Sequence, residues 1–571
     1  MNNTHNIQKG MHELKKAGLT TVTLMSAISI AISGCSGSGG KEQSPQPSAK
    51  AEASAKPQDS GTANGMEDGK YDPPITLTTV RAQAPTVKFA EGDSLENNAW
   101  TRAYEKEYGI KLKTLWAVDP TQLEQKMNLT IASGEIPDFF QVTPTQFKQL
   151  AEADLIADLT DVYNKNASDS IKKLLTEDGD AALKSATING KLMAIPYTAA
   201  AKERSQMVFV RTDWLEKLNL PEPKTFADLL AISEAFTTKD PDGNDKNDTF
   251  GLAVDKDFGL LPGFFNSFHA YWGIYVKGAD GNLAYSTTQP EMKKAIKQLQ
   301  DMFKAGQIDP EFGAKNLSKV YETIANGKVG MFYNAPYAGL SPLQAAKDKD
   351  PSMEWKAFPI LSVDDKPALS QVGVGVSNYW VVRKGVQNPE AVFKLLEFWL
   401  KTFYENTSND IYQQYNTSAD GNQVWLLNAM AAYKSYKNID ESLRIIEALD
   451  TKDLSKLTPE DKGVYDRILK FQAGDLSNWG WNLMFNKGGT MSVADYYRKN
   501  NLYLVNEFIT TPLPSMLEKK PVLDKLEFEA LTKIILGQSS IDEFDNYVEQ
   551  WNKQGGDEVV KDVNEWYKTA K

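Results

Sequence analysis

Residues 75–117 read ITLTTVRAQAPTVKFAEGDSLENNAWTRAYEKEYGIKLKTLWA, and their order decides the layering of the chain. The opening run ITLTTVRA, bounded upstream by Pro73 and Pro74, is a β-type segment. It is followed by SLENNAWTRAYEKEYG, in which Ser94 can cap a helix, Ala99, Trp100, Ala103 and Tyr104 form an apolar stripe, and Gly109 ends it. IKLKTLWA then alternates again, with Ile110, Leu112, Thr114 and Trp116 on one face. Strand, helix and strand at this spacing predict α/β layering.

The alternation continues outward. TQLEQKMNLTIASGEIPDFFQV predicts a helix stopped at Gly134 and then a short buried strand. PEMKKAIKQLQDMFKAGQ and IDEFDNYVEQWNKQGG are amphipathic helices, the second with Ile541, Phe544, Val548 and Trp551 at helical spacing before Gly555. No internal repeat and no Walker-type loop is visible, and the glycine-rich string QVGVGVSN lacks the lysine that a phosphate cradle needs.

The amino end has a different character. Lys9, Lys15 and Lys16 precede the mildly apolar run Ala17–Ile32, which closes on Ser33 and Gly34 and reads as a secretory signal. It is too short and too polar for a membrane span. Cys35 follows, the one cysteine in 571 residues, and ISGC resembles the bacterial lipobox, with Ile32 standing where that pattern usually has Leu. Its neighbours SGSGGKEQ cannot form a core, so a diacylglycerol-bearing Cys35 anchored in a membrane is expected. Residues 36–72 carry Ser, Gly, Pro, Ala, Lys and Gln, a composition that cannot offset its ordering entropy and predicts a flexible tether. The expected organisation is a signal at 1–34, the lipidated cysteine and tether at 35–72, and a folded body at 73–571. About 500 residues exceed what one core supports, so at least two lobes are expected.

Composition removes several classes of function. Loss of residues 1–34 leaves 60 of the 63 basic and 74 of the 75 acidic residues, a formal charge of −14 that argues against nucleic acid as a partner. His5 and His12 lie in the signal, so His269 is the lone histidine of the mature chain. Ser-His-Asp and Cys-His catalysis, zinc hydrolysis and His-ligated iron or copper need more than that. His269, within SFHAYWGIY, reads as packing or as lining a groove.

A series of short motifs then carries a family resemblance: KMNLTIASGEIPDFF, AIPYTAA, VFVRTDWLEKLNLPEPKTFADLL, DPDGNDKNDTFGL, MFKAGQIDPEF and, near the end, ALTKIILGQ with WNKQGGDEVVKDVNEWY. In this order they resemble the bacterial extracellular solute-binding proteins of family 1 that serve ABC sugar importers, and within them the long lipoprotein branch of Gram-positive bacteria akin to alginate-binding proteins. The resemblance implies a two-lobed periplasmic-binding-protein fold, discontinuous in sequence with a first crossover near 196–204, that closes over a carbohydrate. It further implies an absence of catalysis, an ABC permease as partner, a monomer, and a place on the extracellular face of the membrane.

Residues 240–251, DPDGNDKNDTFG, match part of a calcium-loop template. Asp240, Asp242 and Asn244 fall at positions one, three and five, the Lys246 carbonyl at seven and Asp248 at nine. Asp245 replaces the glycine at six, and Gly251 the glutamate at twelve. A helix before the loop, capped at Thr225, and a strand after it, FGLAV, predict a structural clip and not a helix–loop–helix sensor. The alginate-binding relatives carry a structural calcium at this motif, which the resemblance extends to this chain. A solvated Asx-turn cluster is the alternative.

A sugar presents apolar C–H faces and a rim of hydroxyls, so its receptor needs aromatic platforms and bidentate polar groups. AYWGIY, MFYNAPYAG, SNYWVV and SNWGWN supply the aromatic candidates Trp272, Tyr333, Tyr337, Trp380, Trp479 and Trp481, with core packing as the competing reading for each. Trp479 and Trp481 share a face if their segment is extended. Glu203 and Arg204 reach the cleft if AIPYTAAAK leads into a crossover, and Asn334 adds a polar candidate, whereas Trp214 belongs to the core. Two rivals remain: a glycan-active enzyme with a carboxylate pair, and a surface lipoprotein that binds peptides or acts as a scaffold.

Overall fold

The computed structural model describes residues 66–570 apart from 68, 84–86, 406, 407 and 420. The signal, Cys35 and the tether up to residue 65 lie outside the described residues. Within the described residues, structure is present ahead of the expected Pro73. Met66–Glu67 pairs antiparallel with Lys70–Tyr71, and Tyr71 is buried with its hydroxyl donating to Glu390 Oε1 at 2.6 Å.

The opening strand–helix–strand unit forms as its pattern predicts. Ile75–Ala82 and Ile110–Val118 pair in parallel around the helix Ala99–Tyr108. The cap is Asn98 and not Ser94, because 94–97 is itself a turn in which Ser94 N–H donates to Asn97 O. Asn98 Oδ1 accepts from the backbone N–H of Trp100 and Thr101. Gly109 ends the helix at φ 66°, and a Cβ there would meet Tyr71 O at 2.2 Å, so only glycine fits.

Two separate cores follow. In the first lobe Val376–Val382 lies between Phe139–Val142 and Ile195–Thr198, antiparallel to both. Successive side chains point to opposite faces, so Phe139 and Val382 join one apolar cluster while Phe140, Val142, Tyr379 and Val381 join another. The former is built around an aromatic block. Trp399 stacks on Phe403 with centroids 4.1 Å apart and on Trp100 at 6.0 Å. In the second lobe the strands run Phe250–Leu252, Val329–Asn334, Met207–Arg211, Trp355–Phe358, wrapped by helices into one large core. Met207–Arg211 is buried along its whole length, as an interior strand covered on both faces must be. Trp214 is 2% exposed.

The helix Pro514–Ile535 of this core carries an internal pH dependence. Glu527 is buried between the hydroxyls of Tyr547, at 2.8 Å, and Tyr285, at 3.4 Å. Burial pushes its carboxyl up to about 7. The unfolded chain releases that proton near pH 4.3, at roughly the ordinary Glu value. Between these values the folded state binds more protons than the unfolded one, so this contribution to stability is complete at the acid end and is lost as pH rises to about 7. Glu527→Gln is expected to flatten the decline of the thermal midpoint between pH 5 and 7, leaving the part due to Glu441, which burial also raises. An unaltered profile would detach Glu527 from the slope.

Candidate functional site

Strand direction locates the cleft. The chain leaves the first sheet at Thr198 and enters the second at Met207; it leaves the second after Phe358 and re-enters the first at Val376. The ends of the sheets that face each other therefore hold Val142, Val376 and Thr198 on one lobe, and Met207, Asn334 and Phe358 on the other. Facing strand ends between lobes are where a ligand is enclosed from two sides.

Three crossover segments lie side by side behind this cleft. Ala199 N–H donates to Gly375 O at 2.7 Å, and Tyr433 N–H donates to Thr198 O at 3.2 Å, so residues 198–199 are flanked by the other two passages. Gly373 and Gly375 frame the second passage. Gly375 has φ 79°, a value that glycine adopts at no steric cost. The string QVGVGVSN thus finds its role as a crossover.

Glu203 ties the first passage to the third. Its carboxylate is fully buried and accepts from the backbone N–H of Asn438 and Ile439, from Asn438 Nδ2 at 2.8 Å and from the Tyr337 hydroxyl at 3.2 Å. It serves as the acceptor for the free N–H groups at the start of the helix Lys437–Thr451, supplied from a distant part of the chain. Burial raises its pKa, opposed by the Ile439 and Asn438 donors. On the other side Glu177 accepts from Ser435 N–H at 2.6 Å, and Lys202 pairs with Asp178 at 3.0 Å.

At the cleft edge of the first lobe Asn378 Nδ2 donates to Gln141 Oε1 at 3.1 Å. A cavity of about 650 Å³ is lined by Pro144 from the first lobe and by Gly273, Tyr275, Asn506, Thr510 and others from the second. Beside it Lys148 Nζ reaches across to Pro512 O at 3.1 Å.

The aromatic candidates divide. Trp272 is half-buried, stacked on Phe265 and edge-on to Phe258 and Phe528. Its backbone is held on both sides by the Gln371 amide at 2.7 Å, just before the second crossover. Trp380 is half-buried on the first sheet, with Nε1 donating to Ala431 O at 3.0 Å, and Tyr337 is half-buried against Glu203. Asn334 ends its strand at the cleft, where Nδ2 donates to the Tyr321 hydroxyl at 2.8 Å. Arg204 is exposed, and its guanidinium makes no hydrogen bond or ion pair among the described residues.

Four candidates are corrected. Tyr333 is 2% exposed, because its strand is interior and its ring fills the space where a Cβ on Gly263 would stand, 2.4 Å away. Glu203 is a buried helix acceptor and offers no free oxygen to the cleft. Trp479 and Trp481 lie in the helix Trp479–Phe485, and at 3.6 residues per turn two residues two apart point about 200° from each other. Trp479 is buried, with Nε1 on Glu354 at 3.1 Å, while Trp481 stacks on Phe485 beneath Arg467. The amides Gln141, Asn378 and Gln371 were not legible as candidates. Each is an isolated residue in sequence; sheet pairing brings Gln141 to Asn378, while Gln371 lies in a separate pair of strands, Ser370–Val372 with Tyr503–Val505.

The loop 240–251 forms the expected helix–loop–strand, between Phe226–Thr238, capped at Thr225, and Phe250–Leu252. Asp240 accepts from the N–H of Gly243, Asn244 and Asp245. Asn244 Nδ2 donates to Asp242 at 2.8 Å and to Asp248 at 3.1 Å, and its Oδ1 accepts from Lys246 N–H. Lys328 Nζ sits between Asp242 Oδ2, at 2.9 Å, and Asp248 Oδ2, at 2.7 Å. Asp242 Oδ1 is buried without a partner. Among the described residues no three carboxylates are gathered as a ready metal site; the orphaned oxygen, the neighbouring carboxylates and the Lys246 carbonyl would suit a hard oxygen-seeking cation only with water completing the set and the ammonium withdrawn.

Comparison with known proteins agrees with the architecture. The family profile described as bacterial extracellular solute-binding protein matches residues 99–407. The chain is 24% identical to lipoprotein LipO of Bacillus subtilis (strain 168), over 90% of this chain and 95% of that one. It is 24% identical to the polygalacturonan/rhamnogalacturonan-binding protein YtcQ of the same strain, over 82% and 87%. Among solved structures it resembles the HMO-binding, ABC-transporter-associated solute-binding protein of Bifidobacterium longum infantis ATCC 15697, with TM-score 0.59 and 18% identity over 88% of this chain and 99% of that one.

Proposed function

Because the chain belongs to the bacterial extracellular solute-binding proteins, we propose that it is the substrate-binding component of an ABC importer, held at the extracellular face by a lipid on Cys35, taking up an oligosaccharide and releasing it unaltered. The observation that supports this reading best is the pairing of two lobes with separate cores, joined by three adjacent passages, with strand ends facing across a cleft. Such a body opens and closes by changing a few backbone angles at the passages while each core stays packed.

Trp272, Trp380 and Tyr337 would offer apolar faces to sugar rings, and Gln141, Asn378, Asn334 and Arg204 would meet the hydroxyls. The free guanidinium of Arg204 suits a uronic carboxylate, the acidic group of polygalacturonan, which YtcQ is named as binding. Delivery requires an ABC permease, and the monomer suffices for the binding step.

Calorimetric titration of residues 66–571 with neutral and acidic oligosaccharides, together with small-angle scattering, tests the proposal. One sugar class is expected to bind, to contract the radius of gyration and to be recovered intact. Trp272→Ala is expected to raise Kd at least tenfold, about 1.4 kcal/mol, with unchanged folding. Binding without contraction would favour a scaffold lipoprotein, and cleavage of the sugar an enzyme.

We also propose that calcium, when present, is held by Asp240, Asp242, Asn244, the Lys246 carbonyl and Asp248, and pins the turn. The orphaned Asp242 Oδ1 supports this reading.

A further inference from the structure

The loop 240–251 is gripped by two lysines from outside it. Lys217, at the end of the helix Thr212–Lys217, donates to Pro241 O at 2.7 Å. Lys328 immediately precedes the strand Val329–Asn334, which pairs in parallel with Phe250–Leu252, the strand into which the loop runs. Phe250 N–H donates to Lys328 O at 2.9 Å. Sheet pairing therefore fixes the Lys328 backbone beside the loop, and its ammonium spans the carboxylates of the third and ninth template positions.

We infer that Lys328 is a built-in cation of this loop: it holds Asp242 and Asp248 together in the absence of metal, and a calcium ion has to displace it. Two carboxylates brought this close repel each other unless a positive charge lies between them. An ammonium at 2.7–2.9 Å from both supplies it. It satisfies only two oxygens, which leaves Asp242 Oδ1 without a partner. A lysine tethered at this position costs no association entropy, so the loop stays formed when calcium is scarce, and calcium pays the cost of expelling a paired ammonium. The clip itself stands independently of the calcium reading, whereas the competition rests on it.

The experiment compares wild type, Lys328→Gln and Lys328→Arg by thermal unfolding in EDTA and in graded calcium, with calcium titration by calorimetry. Wild type is expected to keep its midpoint in EDTA within about 2 °C of its calcium-saturated value, and Lys328→Gln to lose several degrees in EDTA. Lys328→Gln is also expected to regain that loss in calcium and to bind calcium at least tenfold more tightly than wild type. Lys328→Arg, which keeps the charge, should hold the wild-type midpoint in EDTA. A loss for Lys328→Arg equal to that for Lys328→Gln, or a Lys328→Gln protein indistinguishable from wild type in both conditions, would overturn the inference. If Lys328→Gln loses stability in EDTA and neither protein responds to calcium, the lysine clip is upheld and the calcium reading falls. Should Lys328→Gln fail to fold, amide exchange in wild type in EDTA decides: slow exchange at 243–246 supports the clip, and exchange as fast as an unstructured loop refutes it.

Discussion

Replacement of Glu203 by alanine is expected to destabilise the protein by about 3 kcal/mol, the cost of leaving buried donors without their acceptor. The carboxylate receives two helix N–H groups, an amide and a phenol, and of these the Asn438 amide also reaches the Tyr337 hydroxyl at 3.0 Å. The loss falls at the point where the first and third passages meet, so ligand affinity should fall together with stability. Glu203→Gln keeps one acceptor oxygen and should recover part of the loss, because its NH₂ faces donors where the second oxygen accepted. Urea unfolding of the three proteins, with sugar titration of each, reads both effects. A Glu203→Ala protein within 1 kcal/mol of wild type would remove Glu203 from the hinge.

Trp399→Ala should be costlier, about 4 kcal/mol for an aromatic side chain cut out of a packed core. Trp399 is fully buried, stacks on Phe403 and Trp100, and meets the Tyr433 ring edge-on at 5.6 Å. Its Nε1 donates to Ala432 O at 2.8 Å. The cavity therefore opens directly beneath the third passage. Because the two lobes have separate cores, calorimetry should resolve the variant into an early transition of the first lobe and a second near the wild-type midpoint. A single transition shifted as a whole would mean that the lobes melt as one unit. Ligand binding should disappear above the early transition while the second lobe remains folded.

Much of the fold was legible because it follows from periods and stops. The strand–helix–strand opening, the Thr225 cap, the Gly109 and Gly134 stops and the burial of Trp214 are local facts of sequence. What failed was conformation that the local pattern alone does not decide. WGW reads equally well as a strand or a helix, and the 3₁₀ turn that Asp475 caps ahead of it made it a helix. Glu203 and Arg204 are adjacent charged residues with the same expected role, yet one is buried beneath a helix that starts at Lys437 and the other is exposed. Lys328 lies far along the chain from the loop it grips, and no template written over 240–251 contains it. A preceding turn, a helix start and a sheet partner decide these outcomes in turn, and single-sequence periodicity carries no record of any of them.

The placement of Val376–Val382 between two strands that precede it by some two hundred residues also bears on how the chain is made. A ribosome delivers Phe139–Val142 and Ile195–Thr198 long before the strand that must lie between them. Their unpaired edges cannot join into the native sheet meanwhile, and the aromatic block waits still longer for Tyr433. The second lobe fares no better, since its core is completed by Val563, a few residues from the carboxyl end. Both cores therefore depend on segments made late, and each stays incomplete until those segments have been added.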